Sequence, residues 1–430
     1  MSTESEEAVE HAGSPIGART ARRSLWRNRD FMLFWGGESV SLVGTAVSYV
    51  ALPLVGVIFL HANAFQMGVL ATVEKLPPLV FGAFAGTLVD RCRRDRLMVA
   101  TDLGRFALLG WIPLAAVLGV LDVWQLAGVA FLVGLLSLLF NVAYQAFLPS
   151  VVVDDQLGDG NGKLAASQSV AEVGGPGIAA WLIALGGAPV ALLADAVSYV
   201  VSAVCVVSLR SKDTVARTRG RAGGFWEETR NGFMLLWRDD VLRLVTVAMT
   251  VTNFFSQMQM TLYFLFLVDG LGFGATMIGV LFSVSGVLGF FSSILCDRIS
   301  ARIGIGRLLA AGMAIEAVGA ICLAAAAGPI LLKAALILLG EAAFSVGMSL
   351  VGVGFVTLRQ RRTVEASRGR VIGSSRFLTQ GVLPIASLVA GGVAAQFGIR
   401  AALVVGAAGI AVGVCLLLQR KVLSLRFHAT

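Results

Sequence analysis

The stretch that decides the fold is Gly86-Thr-Leu-Val-Asp90-Arg91-Cys-Arg-Arg94-Asp-Arg96, a short basic segment that closes a long apolar run. A second such segment, Ser293-Ile-Leu-Cys-Asp297-Arg298-Ile-Ser-Ala-Arg302, closes another apolar run, and its Asp-Arg pair lies 207 residues after the first. We expect both segments to be loops, so that the chain holds two copies of one membrane unit. Repeated halves in a membrane protein commonly enclose a substrate path at their interface. The duplication therefore favours a transport function.

The composition is that of an integral membrane protein. Hydrophobic residues make up 57% of the 430 and charged residues only 14%, and the mean hydropathy is +0.83, which excludes an ordinary soluble domain. A helix needs about 20 apolar residues to cross the hydrocarbon, and the bilayer offers backbone amides no water. We predict an all-α fold of twelve transmembrane helices in two pseudo-symmetric six-helix bundles, with spans at 31–59, 66–89, 97–120, 123–146, 164–187, 189–209, 241–268, 274–295, 306–327, 330–356, 371–396 and 399–419.

The same pattern divides the chain into five parts. These are a cytoplasmic tail over 1–30, expected to be disordered, a bundle over 31–209, a cytoplasmic linker over 210–240, a bundle over 241–420 and a cytoplasmic tail over 421–430. In the linker, Phe225, Thr229, Phe233 and Leu236 recur at helical spacing, which predicts an amphipathic helix lying on the membrane surface.

The distribution of charge predicts the orientation. Although the net charge is +8, 29 of the 34 lysine and arginine residues fall at alternate ends of the predicted spans, as expected of a cytoplasmic side. We therefore expect a multi-pass protein of the inner (plasma) membrane with both termini cytoplasmic, surrounded by the lipid bilayer, monomeric and without a nucleic-acid partner.

Metal, cofactor and nucleotide sites lack their ligands in the sequence. The five cysteines are isolated, and the three histidines lie in tails or in an outer loop, so neither zinc nor disulfides are indicated. The segment 158–163 ends in Lys163 but lacks the leading glycine and the following Ser or Thr of a phosphate-binding loop. We expect no cofactor, no metal and no ATP site, and hence an ion gradient as the energy source.

At this point the chain resembles the major facilitator superfamily, whose halves carry a loop signature G-x-L-x-D-R-x-G-R-R. Gly86, Leu88, Asp90, Arg91 and Arg94 match it, and Arg93 departs from it. Further stretches, such as Leu148-Pro-Ser150 and Arg368-Gly-Arg370, resemble the drug and siderophore exporters of that family, including macrolide efflux pumps and the enterobactin exporter. The resemblance implies the fold of that family and an exporter.

A carboxylate at Asp90 can pair with basic groups or with a helix amino terminus across the interface and hold the cytoplasmic side closed. We expect Asp102 and Arg105 to brace its loop; alternatively, the arginines of the loop only set the topology. The predicted latch comprises Gly86, Asp90, Arg91, Arg94, Asp102, Arg105, Asp297 and Arg298.

Proline and glycine predict two bends near the pathway, at Gly175 and Pro176 in the fifth span and at Pro384 in the eleventh. In the family, a fifth-helix G-x-x-x-G-P-x-x-G-G pattern resembles an antiporter signature. Gly175 and Pro176 match that pattern and Ala179 and Ala180 replace its last two glycines, so antiport is favoured by the resemblance.

Ionisable residues inside spans are costly and point to functional sites. Desolvation favours the protonated form of a carboxyl group, and we predict that Glu38, Glu172 and Glu74 couple transport to protons, with Na⁺ as an alternative ion. Glu74 and Lys75 are adjacent and diverge on a helix, so each is expected to need its own partner. Glu316 and Glu341 can pair with Arg376 as structural fasteners, or Arg376 can attract an anionic substrate.

Polar side chains on apolar spans predict the substrate cavity. The candidates are Asn141, Tyr144, Gln145, Asn253, Gln257, Tyr263, Arg376 and Gln380. The sequence thus predicts a secondary transporter, not an enzyme, that exports an amphipathic small molecule such as an antibiotic or siderophore by proton antiport with alternating access. Uptake by the same fold is the first alternative; a lipid scramblase or flippase and a membrane-embedded enzyme lack the groups that they would need.

Overall fold

In a computed structural model of the protein, residues 25–210, 225–364 and 367–425 are described. Within them every regular element is helical, which confirms the all-α prediction. The predicted disorder of residues 1–24, the 211–224 part of the linker and the 426–430 part of the tail lie outside the described residues. The first half contains α1 (Arg29–Leu54, continued by a π turn over Val55–Phe59), α2 (Ala64–Val89), α3 (Arg94–Val117), α4 (Val123–Val151), α5 (Leu157–Gly186) and α6 (Ala188–Val207).

The second half begins after the predicted amphipathic helix, which is α7 (Phe225–Arg238). On α7, Leu236 is buried against Leu242 and Val371. The remaining helices are α8 (Asp240–Leu265, continued by a π turn over Phe266–Gly270), α9 (Ala275–Ile303), α10 (Ile305–Ala325), α11 (Ile330–Arg362), α12 (Arg368–Gly381), α13 (Leu383–Phe397), α14 (Ile399–Leu417) and the short α15 (Arg420–Leu423).

Ten helical stretches are long and apolar enough to cross a membrane. They do not include α2 and α8, which carry more polar residues but pack along neighbouring spans, α2 on α4 and α13, and α8 on α13 and α14. The number of twelve spans therefore stays a prediction. The predicted eleventh span is interrupted at Val382, between α12 and α13.

The two halves repeat with a period of 211 residues. Five of the six helices of the first half have a counterpart that starts 211 residues later, at Arg29 and Asp240, Ala64 and Ala275, Arg94 and Ile305, Leu157 and Arg368, and Ala188 and Ile399. The π turns share their closing bonds, Leu60 N–H to Val55 O and Leu271 N–H to Phe266 O. Packing repeats as well: α1 and α3 flank α6 as α8 and α10 flank α14, and α2 and α3 flank α4 as α9 and α10 flank α11.

This period corrects the expected equivalence of the two Asp-Arg pairs. Asp90 caps the end of α2, whereas Asp297 lies inside α9, one turn too early to be its counterpart, and the side chain of Asp297 is outside the described part of the chain. The second basic segment is thus not a loop but the last turns of a helix. Chain reversal waits until Gly304, whose φ of +86° suits glycine.

Both described ends lie on one face of the bundle, here called the terminal face. At the start of α1, Asn28 Nδ2 donates to the carbonyl of Val151, which ends α4, at 3.0 Å. After α14, Lys421 Nζ lies 3.0 Å from a carboxylate oxygen of Asp240, which starts α8. The opposite end of the bundle, where α1 leads into α2 and α5 into α6, is called the far face.

A cavity between the halves

A cavity of about 720 Å³ lies between the two halves. Residues of α1 and α5 form one wall, and residues of α8, α9, α10 and α11 form the other. The lining is rich in aromatic rings and methionines, which suit varied apolar ligands. These side chains are Tyr49, Met260, Tyr263, Phe282, Phe290, Phe344 and Met348.

Two close helix contacts join the halves toward the far face. Helix α2 crosses α13 so closely that a Cβ on Gly391 would lie 2.9 Å from the Cα of Gly68, a contact that only glycine permits. Helix α5 crosses α9 at Pro176, where a Cβ on Gly279 would lie 3.0 Å from the proline carbonyl oxygen. One apolar core at this end contains residues of both halves.

Toward the terminal face, the apolar cores of the halves are separate. One is built from α1, α3, α4 and α6, with Phe31, Phe34 and Phe147 in it. The other is built from α8, α10, α11 and α14, with Leu309 and Leu358 in it. The described packing therefore seals the cavity on the far side and leaves the halves apart on the terminal side.

Two carboxyl groups line the cavity, one from each half. Glu172 on α5, a predicted coupling residue, is exposed in it and accepts a hydrogen bond from Gln168 Nε2 at 2.8 Å. Glu341 on α11 interacts electrostatically with the buried hydroxyl of Tyr263 and with Tyr49. The sequence had suggested a structural role for Glu341, because nothing along the chain links it to α1 or α8.

Glu38, the other main coupling candidate, is buried in the first half and does not line the cavity. It interacts electrostatically with Arg105 and Asp102 of α3, and its Oε2 atom has no hydrogen-bond partner among the described residues. Arg105 pairs with Asp102, and its guanidinium carbon lies 4.3 Å from the ring centre of Phe140 and 4.1 Å from that of Tyr199.

The Asp102–Arg105 pair therefore stabilises the core of the first half and does not brace the Asp90 loop, contrary to the prediction. The Asp90 carboxylate is 60% exposed and lies 3.8 Å from Arg94, within its own half. Arg94 also donates to the carbonyl of Ala146 at the end of α4, at 3.1 Å. Gly86 lies in the last turn of α2, and Arg91 and Arg298 are exposed on the terminal face.

Glu74 and Lys75 do neutralise each other, and the prediction that they need separate partners is wrong. Lys75 Nζ lies 2.8 Å from Glu74 Oε1, because the long lysine side chain reaches back around the helix. The pair lines a small cavity of about 70 Å³ that shares Tyr49 and Met260 with the larger one. This pairing leaves Glu74 without the free carboxylate that a coupling role requires.

The predicted cavity residues separate into three groups. Tyr263 lines the larger cavity, and Gln257 lines the small one and donates to Ser387 Oγ at 3.0 Å. Tyr144 is instead buried, stacked on Phe34 with ring centres 4.3 Å apart. The others do not line either cavity: Asn253 donates to the carbonyl of Thr379 at 3.0 Å, and the rest are exposed, namely Asn141, Gln145, Arg376 and Gln380.

Glu316 and Glu341 do not pair with Arg376 within the described residues. Glu316 instead accepts a hydrogen bond from Ser256 Oγ at 2.7 Å, and Ser256 lines the larger cavity. The described residues also contain no group of three or more His, Cys, Asp or Glu side chains placed to hold a metal ion.

The two predicted bends differ. Helix α5 is continuous through Gly175 and Pro176, whereas Pro384 lies in the first turn of α13, directly after the interruption. Side chains from other helices bind carbonyls on both sides of that interruption: Asn253 binds that of Thr379, and Thr72 Oγ1 that of Pro384 at 3.0 Å.

Comparison with known proteins gives the family. The family model described as Major Facilitator Superfamily matches residues 34–383. Macrolide efflux protein A of Streptococcus pyogenes is 25% identical over 209 residues, 48% of this chain and 51% of that protein, so the chain spans about half the length of this relative. An uncharacterized MFS-type transporter of Sinorhizobium fredii is 25% identical over 327 residues, 75% of this chain and 78% of that protein.

Solved structures share the fold. The nucleoside transporter NupG superposes with a TM-score of 0.77 at 11% identity or less, over 90% of this chain and 99% of its own. A bacterial homologue of the iron transporter ferroportin superposes with a TM-score of 0.71 in its inward-facing state, at 17% identity over 92% of this chain and 98–99% of its own, and of 0.55 in its outward-facing state. The chain belongs to the Major Facilitator Superfamily and is a multi-pass membrane transporter rather than an enzyme.

Proposed function

We propose that the protein exports an amphipathic small molecule across the plasma membrane by proton antiport. The observation that supports this most is the cavity of about 720 Å³ between the halves, lined by aromatic rings and methionines. Small-molecule sites measure about 300–1,000 Å³ and are mostly apolar with a few placed polar groups. The similarity to proteins named macrolide efflux protein A, in two species of cocci, favours export.

Alternating access follows from the way the halves pack. They contact through α2 with α13 and α5 with α9 near the far face, while their cores stay separate near the terminal face. The higher TM-score against the inward-facing ferroportin homologue supports the same state. We place the terminal face in the cytoplasm because the arginines and lysines concentrate there, so that substrate enters from the cytoplasm.

We assign the coupling proton to Glu172 and Glu38. Glu172 is exposed in the cavity, where it can exchange protons with the open side. Glu38 has a carboxylate oxygen without a partner in a buried site, where uncompensated charge is costly. In the opposite state we expect Asp90, which is exposed here, to pair across the halves and close the cytoplasmic side.

Everted membrane vesicles with an acidified lumen test this function, with ethidium and erythromycin as probes. We expect either probe to accumulate in the lumen and to release protons from it, seen as dequenching of an acridine dye. Glu38→Gln and Glu172→Gln should each remove the proton release. Asp159→Asn is the matched control, because it makes the same charge change on an exposed side chain of α5.

Unchanged pH-dependent flux in both glutamine variants would remove the coupling assignment. Solute that leaves the lumen together with protons would instead support uptake by the same fold. We also propose that the monomer is the working unit, because one chain supplies the cavity walls described here.

A further inference from the structure

The charge of the cavity lining is one-sided. Its ionisable side chains include the carboxyl groups of Glu172 and Glu341, and no arginine, lysine or histidine lines it among the described residues. The two carboxyls come from opposite walls, Glu172 from α5 in the first half and Glu341 from α11 in the second. A ligand between the walls therefore meets negative charge from both halves.

The nearest cations are held away from this space. Lys75 is paired with Glu74 and lines the small cavity on the other side of the shared residues Tyr49 and Met260. Arg105 is buried in the first half with Asp102. Arg376, which the sequence suggested as an attractor of anions, is exposed on α12 and does not line the cavity.

The aromatic lining adds to the preference for positive charge. Tyr49 and Tyr263 flank the Glu341 site, and Phe282 lies against Tyr263 with ring centres 5.3 Å apart. Ring faces attract organic cations, most strongly where water is excluded. An anion would instead enter an apolar space with two carboxyl groups and no cation, and like charge in such a space is costly.

We propose that the cavity is selective for amphipathic organic cations, bound by aromatic faces with Glu341 and Glu172 as counter-charges. This inference rests on the proposed export function and narrows its substrate class: anionic siderophore-like molecules are rejected. Since the carboxyl groups belong to different halves, a bound cation bridges the two walls of the cavity.

Two ions of the same shape and opposite charge test the selectivity. The full-length protein in nanodiscs is titrated with radiolabelled tetraphenylphosphonium and tetraphenylborate, with binding to empty nanodiscs subtracted. We expect tetraphenylphosphonium to bind at least about tenfold more tightly than tetraphenylborate, a difference of roughly 1.4 kcal/mol. Glu341→Gln and Glu172→Gln should each weaken tetraphenylphosphonium binding several-fold, and the double variant should lose the preference between the ions.

Asp159→Asn, with the same charge change outside the cavity, should bind like wild type. Equal affinity for the two ions, tighter binding of the borate, or no binding of the phosphonium would each overturn the inference. Those outcomes leave the export function standing if the vesicles still accumulate ethidium or erythromycin. Conversely, a charge preference in nanodiscs without any vesicle transport would overturn export and keep the cation site.

Discussion

Arg105 illustrates how one residue can hold a half together inside a membrane. Its guanidinium lies between the rings of Phe140 and Tyr199 and pairs with Asp102, which has no exposed surface. Glu38 adds a second nearby carboxyl group. A single buried cation thus serves two acidic side chains, and its loss would leave both without a counter-charge.

Arg105→Met is therefore expected to destabilise the protein strongly. Removing one partner of a buried ion pair costs about 3–5 kcal/mol, whereas replacing both partners by apolar residues is often close to neutral. Thermal unfolding in detergent should show a large drop for Arg105→Met and partial recovery for Asp102→Leu with Arg105→Met, because Glu38 still lacks its cation. Arg230→Met, at an exposed arginine of α7, is the control, and a stable Arg105→Met would contradict this role.

Side-chain reach explains which residues could be assigned from sequence. Glu172 was found because a carboxyl group in an apolar span is unusual, and it does line the cavity. Glu341 gives the same signal, but its position beside Tyr49 and Tyr263 depends on three helices from both halves. The Glu74–Lys75 pair was missed because helical spacing places Cβ atoms and does not describe where a long lysine side chain ends.

At the scale of elements, the far face is closed by helices that approach through glycine. Gly391 of α13 meets Gly68 of α2, while the next residue, Gly392, has open space where a Cβ would be. Neighbouring glycines on one helix thus differ in a single respect, the presence of a facing backbone. This offers a matched pair of substitutions.

Gly391→Leu is expected to separate α2 from α13 and shift the protein toward a state open at the far face, whereas Gly392→Leu should have little effect. Spin labels at Val120 and Gln396, both exposed on the far face, report the change by electron–electron double resonance after replacement of the five native cysteines. We expect a longer distance distribution for Gly391→Leu alone. Identical distributions for both variants would show that this crossing does not hold the far face closed.

Element boundaries also show the limit of prediction from sequence. Apolar runs located the helices well, because each buried stretch must satisfy its backbone internally. The repeat was visible too, but the Asp-Arg pairs suggested a period of 207, and the helix starts give 211. Chain reversal in the second half occurs at Gly304, and the sequence alone does not distinguish a basic loop from a basic helix end.

At the scale of the whole molecule, the two halves share a fold but differ in charge. Arg105 on α3 and Glu316 on α10 lie 211 residues apart, at equivalent places in the repeat. One supplies the cation in the core of the first half, and the other accepts a hydrogen bond from the cavity residue Ser256. Duplication thus explains the packing, and divergence after it explains why acidic groups from both halves meet at one cavity.

The central claim is that one cavity opens to one side of the membrane at a time. Ser349 lines that cavity on α11, and Ser349→Cys in a cysteine-free background reports its access to a membrane-impermeant maleimide. We predict labelling in everted vesicles and protection in intact cells, with the pattern reversed when Gly391→Leu is added. Equal labelling from both sides, or protection from both, would contradict the account.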